Sequence, residues 1–282
     1  MKNANKIALG CYNTLRITRK VDFGVYLDGG EDDDILMPQK YVPVNAEVGD
    51  EVDVFVYADS EDRLVATTEK PFATVGQFAY LKVTTVTRFG AFLDWGLTKD
   101  LLVPYSEQRS RMQVGESYIV YIYADNNTRR IAATEKTSRY LDNIAPRYQN
   151  GEEVDALIVA RTDLGYKAII NNLHTGIIYN SDVYRPLQIG QTIKAYISKV
   201  RDDDKIDLKL QKSGFDKVSS LRQTIVQRLH ENGGRMAVGD KTDPETIKLA
   251  FGCSKKAFKM TIGAMYKDGE INIADNCITL NQ

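Results

Sequence analysis

The chain has 282 residues, of which 43% are hydrophobic and 27% charged, a composition typical of globular domains rather than of disordered or fibrous chains. A formal net charge of −1 disfavours binding of long nucleic acid by bulk electrostatic attraction, so any nucleic-acid surface has to be a local patch. Three cysteines and two histidines are too scattered for a disulfide framework or a zinc cluster, and they leave little room for a catalytic triad. Because the sequence has neither an apolar run of membrane-spanning length nor a signal peptide, we expect a cytoplasmic protein that does not bind membranes.

The sequence contains an internal repeat. Residues 48–71 and 114–137 share 11 of 24 positions at an offset of 66, and the segments VDFGVYLD (21–28) and TRFGAFLD (87–94) match at the same offset. A third, weaker copy covers residues 162–212. Three related units therefore occupy about three quarters of the chain.

Each unit is predicted to be β-structure. Segments such as Val52–Tyr57, Tyr118–Tyr123 and Ile193–Ile197 are short, rich in β-branched and aromatic residues, and alternate with a period of two. About five strands in some 65 residues, separated by turn signals, fit the small Greek-key barrel of the OB-fold.

After Lys212 the hydrophobic period becomes helical. We predict a helix over 216–231, a short strand near 236–238, a helix that begins at Asp243-Pro244, a longer helix with Ser254 as N-cap, and a closing hairpin. This order is that of a winged helix, whose third helix is the potential recognition helix. The fold class is therefore mainly β with a C-terminal α+β domain: three tandem barrels plus a winged helix. The expected domains are 1–70, 71–140, 141–212 and 213–282.

The segment VTTVTRFGAFLDWGLTKDLLVPYSE (83–107) resembles the S1-type RNA-binding motif, with its valine-rich strand, Phe-Gly-x-Phe element and closing Ser-Glu. The whole order of three S1-like barrels and a winged helix containing SKKAFKMTIGAMYKDGEI is similar to the family of conserved virulence factor B, which are bacterial RNA-binding proteins. The resemblance implies a non-enzymatic protein without cofactor or metal that holds single-stranded RNA and regulates gene expression after transcription. The sequence departs from the family pattern at Met37, Val103 and Tyr179, where a histidine is expected. It also departs at Leu164 and Lys167, which replace aromatic residues.

Single-stranded nucleic acid is held by stacking bases on exposed aromatic rings next to positive charge. Phe23 and Tyr26, like Phe89 and Phe92, are three residues apart and would lie on opposite faces of a regular strand. A bend at the intervening glycine would bring both rings to one surface. The predicted RNA-binding residues are Phe23, Tyr26, Arg88, Phe89, Phe92, Lys99 and Tyr179.

Competing interpretations remain open at this point. The rings could fill barrel cores, and the outward phase of Tyr57 and Tyr123 fits packing between neighbouring barrels as well as RNA contact. The lysines near the start of the last helix are candidates for a phosphate backbone but also fit an ordinary solvated face; they are Lys255, Lys256 and Lys259. The acidic runs 31–34 and 202–204 are interpreted as solvated loop charge rather than a metal site.

Three other functions compete with RNA binding as interpretations of the sequence. The first is a DNA-binding regulator led by the winged helix. The second is an adaptor on the ribosome or RNA polymerase, for which RNA affinity is incidental. A hydrolytic enzyme is the least favoured, because no cluster of histidines and spaced carboxylates exists in the sequence.

Overall fold

A computed structural model describes residues 6–59, 61–125, 130–211 and 215–281, and for 215–220 it describes the backbone alone. The chain divides into two compact units, 1–143 and 144–282. The first unit holds two barrels, and the second holds a third barrel and the C-terminal helices. The predicted fold class is confirmed.

Each barrel is a closed sheet of five strands in which the third and fifth strands pair in parallel and all other neighbours are antiparallel. The strands of barrel 1 are β1 (Tyr12–Val21), β2 (Gly24–Leu27), β3 (Ile35–Pro38), β4 (Glu51–Ala58) and β5 (Leu64–Thr67). Those of barrel 2 are β6 (Phe78–Thr87), β7 (Gly90–Asp94), β8 (Leu101–Pro104), β9 (Ser117–Ala124) and β10 (Ile131–Thr134). Those of barrel 3 are β11 (Glu153–Thr162), β12 (Gly165–Ile170), β13 (His174–Tyr179), β14 (Thr192–Val200) and β15 (Ile206–Lys209).

Alternating side chains fill the barrel interiors, as the period of two predicts. On β9, Val120 and Ile122 are fully buried in the core of barrel 2, while Tyr121 and Tyr123, which alternate with them, face away from it. On β4 the alternation is hidden, because every side chain from Val54 to Ala58 is buried. The reason is that the second face of β4 is covered as well.

A shared apolar cluster covers that second face and joins barrels 1 and 2. Phe55 and Tyr57 of β4 lie in the same cluster as Trp95 of barrel 2. The rings of Phe55 and Trp95 meet edge to face with centroids 5.6 Å apart. This packing explains why Tyr57, although it leaves the interior of its own barrel, is only 8% exposed.

The C-terminal part has the order predicted for a winged helix. Its elements are α1 (Phe215–Glu231), β16 (Arg235–Met236), α2 (Pro244–Phe251), α3 (Lys255–Lys267), β17 (Ile271–Ala274) and β18 (Cys277–Leu280). The Asp243 side chain accepts a hydrogen bond from the Thr246 backbone N–H, and Ser254 Oγ accepts one from the Ala257 N–H, so both helices begin at the N-caps that the sequence predicts.

Candidate nucleic-acid interface

The two rings of barrel 1 lie at the turn between β1 and β2. Val21 pairs with Gly24, which leaves Asp22 and Phe23 as a two-residue turn. The Phe23 ring is 58% exposed, and it meets the half-buried ring of Tyr26 edge to face, with centroids 6.4 Å apart. The turn therefore brings both rings to one surface.

Barrel 2 repeats this turn. Thr87 pairs with Gly90, and Arg88 and Phe89 form the turn between β6 and β7. The Phe89 ring is 59% exposed, and the Arg88 guanidinium lies 4.7 Å from its centroid. Phe92, on β7, is half-buried.

The glycine that follows each turn is required by close packing. At Gly90, where φ is +152°, an added Cβ would lie 2.2 Å from the carbonyl oxygen of Val103. Gly24 meets the carbonyl of Met37 in the same way. The backbone could not approach the next strand so closely with any side chain at these positions.

The structure changes the predicted cause of the bend. The glycines do not interrupt the strands; each begins a strand, after the turn that carries the exposed ring. The β-bulges lie in the preceding strands, where the register shifts between Ile17 and Arg19 and between Val83 and Thr85. The predicted juxtaposition of the rings at one surface holds for Phe23 and Tyr26, but it comes from a hairpin turn.

The positive charge beside the rings differs between barrels 1 and 2. The Arg19 guanidinium lies 3.9 Å from the Tyr26 centroid, and its Nε is 3.6 Å from a carboxylate oxygen of Asp34. Among the residues that the structure describes, Arg88 forms no ion pair. The charge of Arg88 is therefore more available to a phosphate than that of Arg19.

Barrel 3 keeps the turn but not the rings. Thr162 pairs with Gly165, and the turn residue equivalent to Phe23 and Phe89 is the exposed Leu164. Lys167 is exposed on β12, while the neighbouring Tyr166 is buried in the core of barrel 3. This barrel therefore offers an aliphatic side chain and a cation in place of two rings.

The position of Tyr179 corrects the alignment of the family histidine. Tyr179 pairs with Gly165, and the residues that pair with Gly24 and Gly90 are Pro38 and Pro104. The equivalents of Tyr179 are thus these prolines, one position after the buried Met37 and Val103. Its hydroxyl accepts a hydrogen bond from Arg201, whose guanidinium also binds the Asp207 carboxylate through two hydrogen bonds of 3.1 and 2.7 Å.

Lys99 lies elsewhere. It follows β7, whereas the ring turn precedes β7, so the two are separated by the length of that strand, about 15 Å. Its Nζ donates hydrogen bonds of 2.7 and 2.9 Å to the backbone carbonyls of Ala58 and Asp59 in barrel 1, and burial lowers the pKa of the ammonium group. The structure therefore assigns Lys99 to the junction between barrels 1 and 2 rather than to the ring surface.

The two outward tyrosines differ in how far they are buried. Burial raises the pKa of Tyr57 to about 12. Tyr123, its equivalent on β9, is half-buried, and burial raises the pKa of its phenol as well. Of the two interpretations left open by the sequence, packing is the one that the geometry favours for Tyr57.

The lysines of α3 divide into two kinds. Lys259 pairs with Asp240, with Nζ 2.9 Å from the carboxylate. Lys256 is exposed and Lys255 is half-buried, and neither forms an ion pair with a described residue. Phe258, on the same helix, is fully buried.

Among the described residues, no group of three or more histidines, cysteines, aspartates and glutamates is placed to hold a metal ion. None of the described helices is long and apolar enough to cross a membrane.

The comparisons with known proteins agree with this architecture. The S1 domain family matches residues 9–69 and 75–135, and the CvfB-like winged helix domain matches residues 223–280. The chain is 28% identical to the uncharacterized protein YitL of Bacillus subtilis (strain 168), over 92% of this chain and 89% of that protein. It is 25% identical to conserved virulence factor B of Staphylococcus aureus (strain N315), over 84% and 81%. It is also similar to a crystal structure of a multidomain protein with nucleic acid binding domains from Streptococcus pneumoniae, with 26% identity, 97% and 98% coverage and a TM-score of 0.42.

Tandem S1 domains joined to a winged helix define a nucleic-acid-binding protein. Within that class, the chain carries the CvfB-like winged helix domain and is similar to conserved virulence factor B over 84% of its length, which confirms the resemblance seen in the sequence.

Proposed function

We propose that this protein binds single-stranded RNA by stacking unpaired bases on the exposed rings of barrels 1 and 2. The observation that carries the proposal is the repeated turn: Phe23 and Phe89 are both more than half exposed at equivalent positions. A single exposed phenylalanine is ordinary on a protein surface. The same exposure at two equivalent turns, each held by a glycine that no other residue can replace, indicates a ligand for the ring.

Unpaired bases fit these rings better than a duplex does. Bases in a duplex already stack on one another, whereas bases in a single strand can splay out and stack on an aromatic side chain. Because a stack does not read the hydrogen-bonding edges of a base, the rings themselves bind with little sequence preference.

Barrel 2 is the stronger binder in this proposal. Arg88 stands next to Phe89 without a carboxylate partner among the described residues, whereas the equivalent residue in barrel 1 is Asp22. Residues 71–140 carry nine basic and six acidic side chains. Phosphates therefore meet net positive charge at barrel 2 and acidic side chains at barrel 1.

The biological role that we propose is non-enzymatic, post-transcriptional regulation of gene expression in the cytoplasm. It is supported by the relatives that carry the name conserved virulence factor B. The alternative of a ribosome- or polymerase-associated adaptor makes a different prediction: a pull-down of those assemblies by this protein would survive nuclease treatment, whereas an RNA-dependent association would not.

Titration of a labelled oligouridylate against the full chain tests the RNA proposal. The variant Phe89→Ala/Phe92→Ala should weaken binding at least about tenfold, since each lost stack contributes about 1–3 kcal/mol. Phe72→Ala is the matched control, because Phe72 is also an exposed phenylalanine of the first unit but lies outside the turns. Equal affinity of the double variant and the control would refute the stacking mechanism. Tighter binding of duplex DNA than of the oligouridylate would favour the DNA-regulator alternative.

A further inference from the structure

A second ring lies beside the Phe89 turn. Tyr105 follows β8 directly, and because Gly90 pairs with Pro104, the same register places Tyr105 opposite Phe89. The Tyr105 hydroxyl donates a 2.7 Å hydrogen bond to the carbonyl oxygen of Thr87, the residue that opens the Phe89 turn. This hydrogen bond fixes the half-buried tyrosine ring along the base of the turn.

An arginine covers this ring. The Arg111 guanidinium lies 3.7 Å from the Tyr105 centroid, which is stacking distance. Arg111 is exposed and forms no ion pair with any residue of the described ranges. Other arginines of the first unit are held by carboxylates: Arg63 by Asp59, and Arg130 by Asp62.

The absence of a carboxylate partner matters for ligand binding. An arginine in an ion pair has to give up that partner before it can bind a phosphate, whereas the guanidinium of Arg111 keeps its donors available. A guanidinium is planar, and a base can stack on it as on a ring. Arg111 can thus offer both a stacking plane and a cation.

This pair distinguishes barrel 2 from the other two barrels. At the offset of the repeat, Tyr105 and Arg111 correspond to Gln39 and Asn45 in barrel 1. The third barrel has Asn180 and Pro186 at these positions. The ring and the cation are therefore not part of what the shared barrel fold requires.

We propose that Tyr105 and Arg111 form a second nucleotide subsite on barrel 2, next to that of Phe89. The ligand is a single-stranded nucleic acid: one base stacks at Phe89 and an adjacent nucleotide is held at Arg111, by stacking on the guanidinium and by hydrogen bonds to its phosphate. This inference rests on the proposed RNA-binding function and adds residues to it that the S1 resemblance does not supply.

The test is the affinity of the full chain for a ten-nucleotide oligouridylate, measured by fluorescence anisotropy at low salt. We expect Arg111→Gln to weaken binding at least about fivefold, the lower end of the value of one stack. Arg109→Gln is the matched control, because Arg109 is also exposed, lies two residues away and carries the same charge, but covers no described ring. Arg109→Gln should lose less affinity for the oligouridylate than Arg111→Gln does.

The conservative variant separates stacking from charge. Arg111→Lys keeps the cation but loses the planar group, so its affinity should remain below that of the wild type. Equal losses of affinity for Arg111→Gln and Arg109→Gln would overturn the subsite, because bulk charge would then explain both. An unchanged affinity of Arg111→Gln would overturn it as well. If the wild type itself failed to bind the oligouridylate, or if Phe89→Ala/Phe92→Ala bound as the wild type does, the RNA-binding proposal would fail instead.

Discussion

The junction between barrels 1 and 2 makes a measurable prediction about stability. Phe55 belongs to barrel 1 by sequence, yet its side chain is fully buried in a cluster with Trp95 of barrel 2. Truncation of a buried phenylalanine to alanine typically costs about 3–5 kcal/mol of unfolding free energy. With a urea dependence of about 2 kcal/mol per M, Phe55→Ala should lower the unfolding midpoint by about 1.5–2.5 M.

The natural probe is Trp95, since the chain has one tryptophan. Its indole is buried, and its Nε1 donates a 2.6 Å hydrogen bond to the Lys99 carbonyl at the junction. Tryptophan fluorescence in urea therefore reports on barrel 2 and on its contact with barrel 1. If the two barrels unfold as one unit, a substitution in barrel 1 shifts the fluorescence transition of barrel 2.

Phe23→Ala is the control, because it removes the same side chain from an exposed position of the same barrel. It should change stability by no more than about 0.5 kcal/mol. If the urea midpoint of the Trp95 fluorescence transition is the same in Phe55→Ala and Phe23→Ala, the reasoning is refuted, because the barrels then unfold independently.

Three further predictions concern an ion pair, a buried phenol and a closely packed glycine in barrels 1 and 2. Arg130 donates two hydrogen bonds to Asp62 and thereby lowers the pKa of that carboxyl group. The ion pair therefore stabilises the fold fully above the ordinary aspartate pKa of about 4, and this stabilisation is lost as the pH falls through the lowered pKa. Asp62→Asn should therefore lower the urea midpoint more at pH 7 than at pH 2, and an equal loss at both pH values would contradict the ion pair. The pKa of Tyr57 is raised to about 12 in the folded state, so the tyrosine of the unfolded state ionises first and the free energy of unfolding falls as the pH rises from about 10 to 12. Denaturation curves of Tyr57→Phe should show a smaller loss of stability over this pH range. Gly90→Ala should both destabilise barrel 2 and weaken oligouridylate binding, because its Cβ would collide with the Val103 carbonyl, and a variant with wild-type stability and affinity would disprove that requirement.

The architecture could be predicted from the sequence because its signals are local. The period of two marks the barrel strands, and the Asp243 and Ser254 caps mark the starts of α2 and α3. The repeat also predicts that equivalent residues occupy equivalent turns. For this reason the sequence alone matches Phe23 with Phe89.

Residues whose partners are distant in sequence could not be placed in this way. The ammonium group of Lys99 binds backbone carbonyls about 40 positions away, and no side-chain pattern indicates a carbonyl partner. The phase of β4 predicts that Tyr57 leaves its barrel but not that a second barrel covers it. For Tyr105 and Arg111 a signal did exist: the offset of 66 shows a ring and a cation where barrel 1 has two amides.

A length difference in one loop also escaped the repeat alignment. Five residues separate β4 from β5, and six separate β9 from β10. Pairing places Val65 opposite Tyr57 and Ala132 opposite Tyr123, so the last strands correspond at an offset of 67 instead of 66. Sequence identity in the ATTEKP and AATEKT segments hides this shift.

Base stacking, as distinct from phosphate attraction, is tested most directly with a strand that has no bases. An abasic ribose-phosphate oligomer carries the charge of an oligouridylate of equal length but nothing that can stack on a ring. The account predicts that the wild-type protein binds the oligouridylate at least about tenfold more tightly than the abasic strand, and that Phe89→Ala/Phe92→Ala reduces this ratio toward one. Equal affinity of the wild-type protein for the two strands would contradict it.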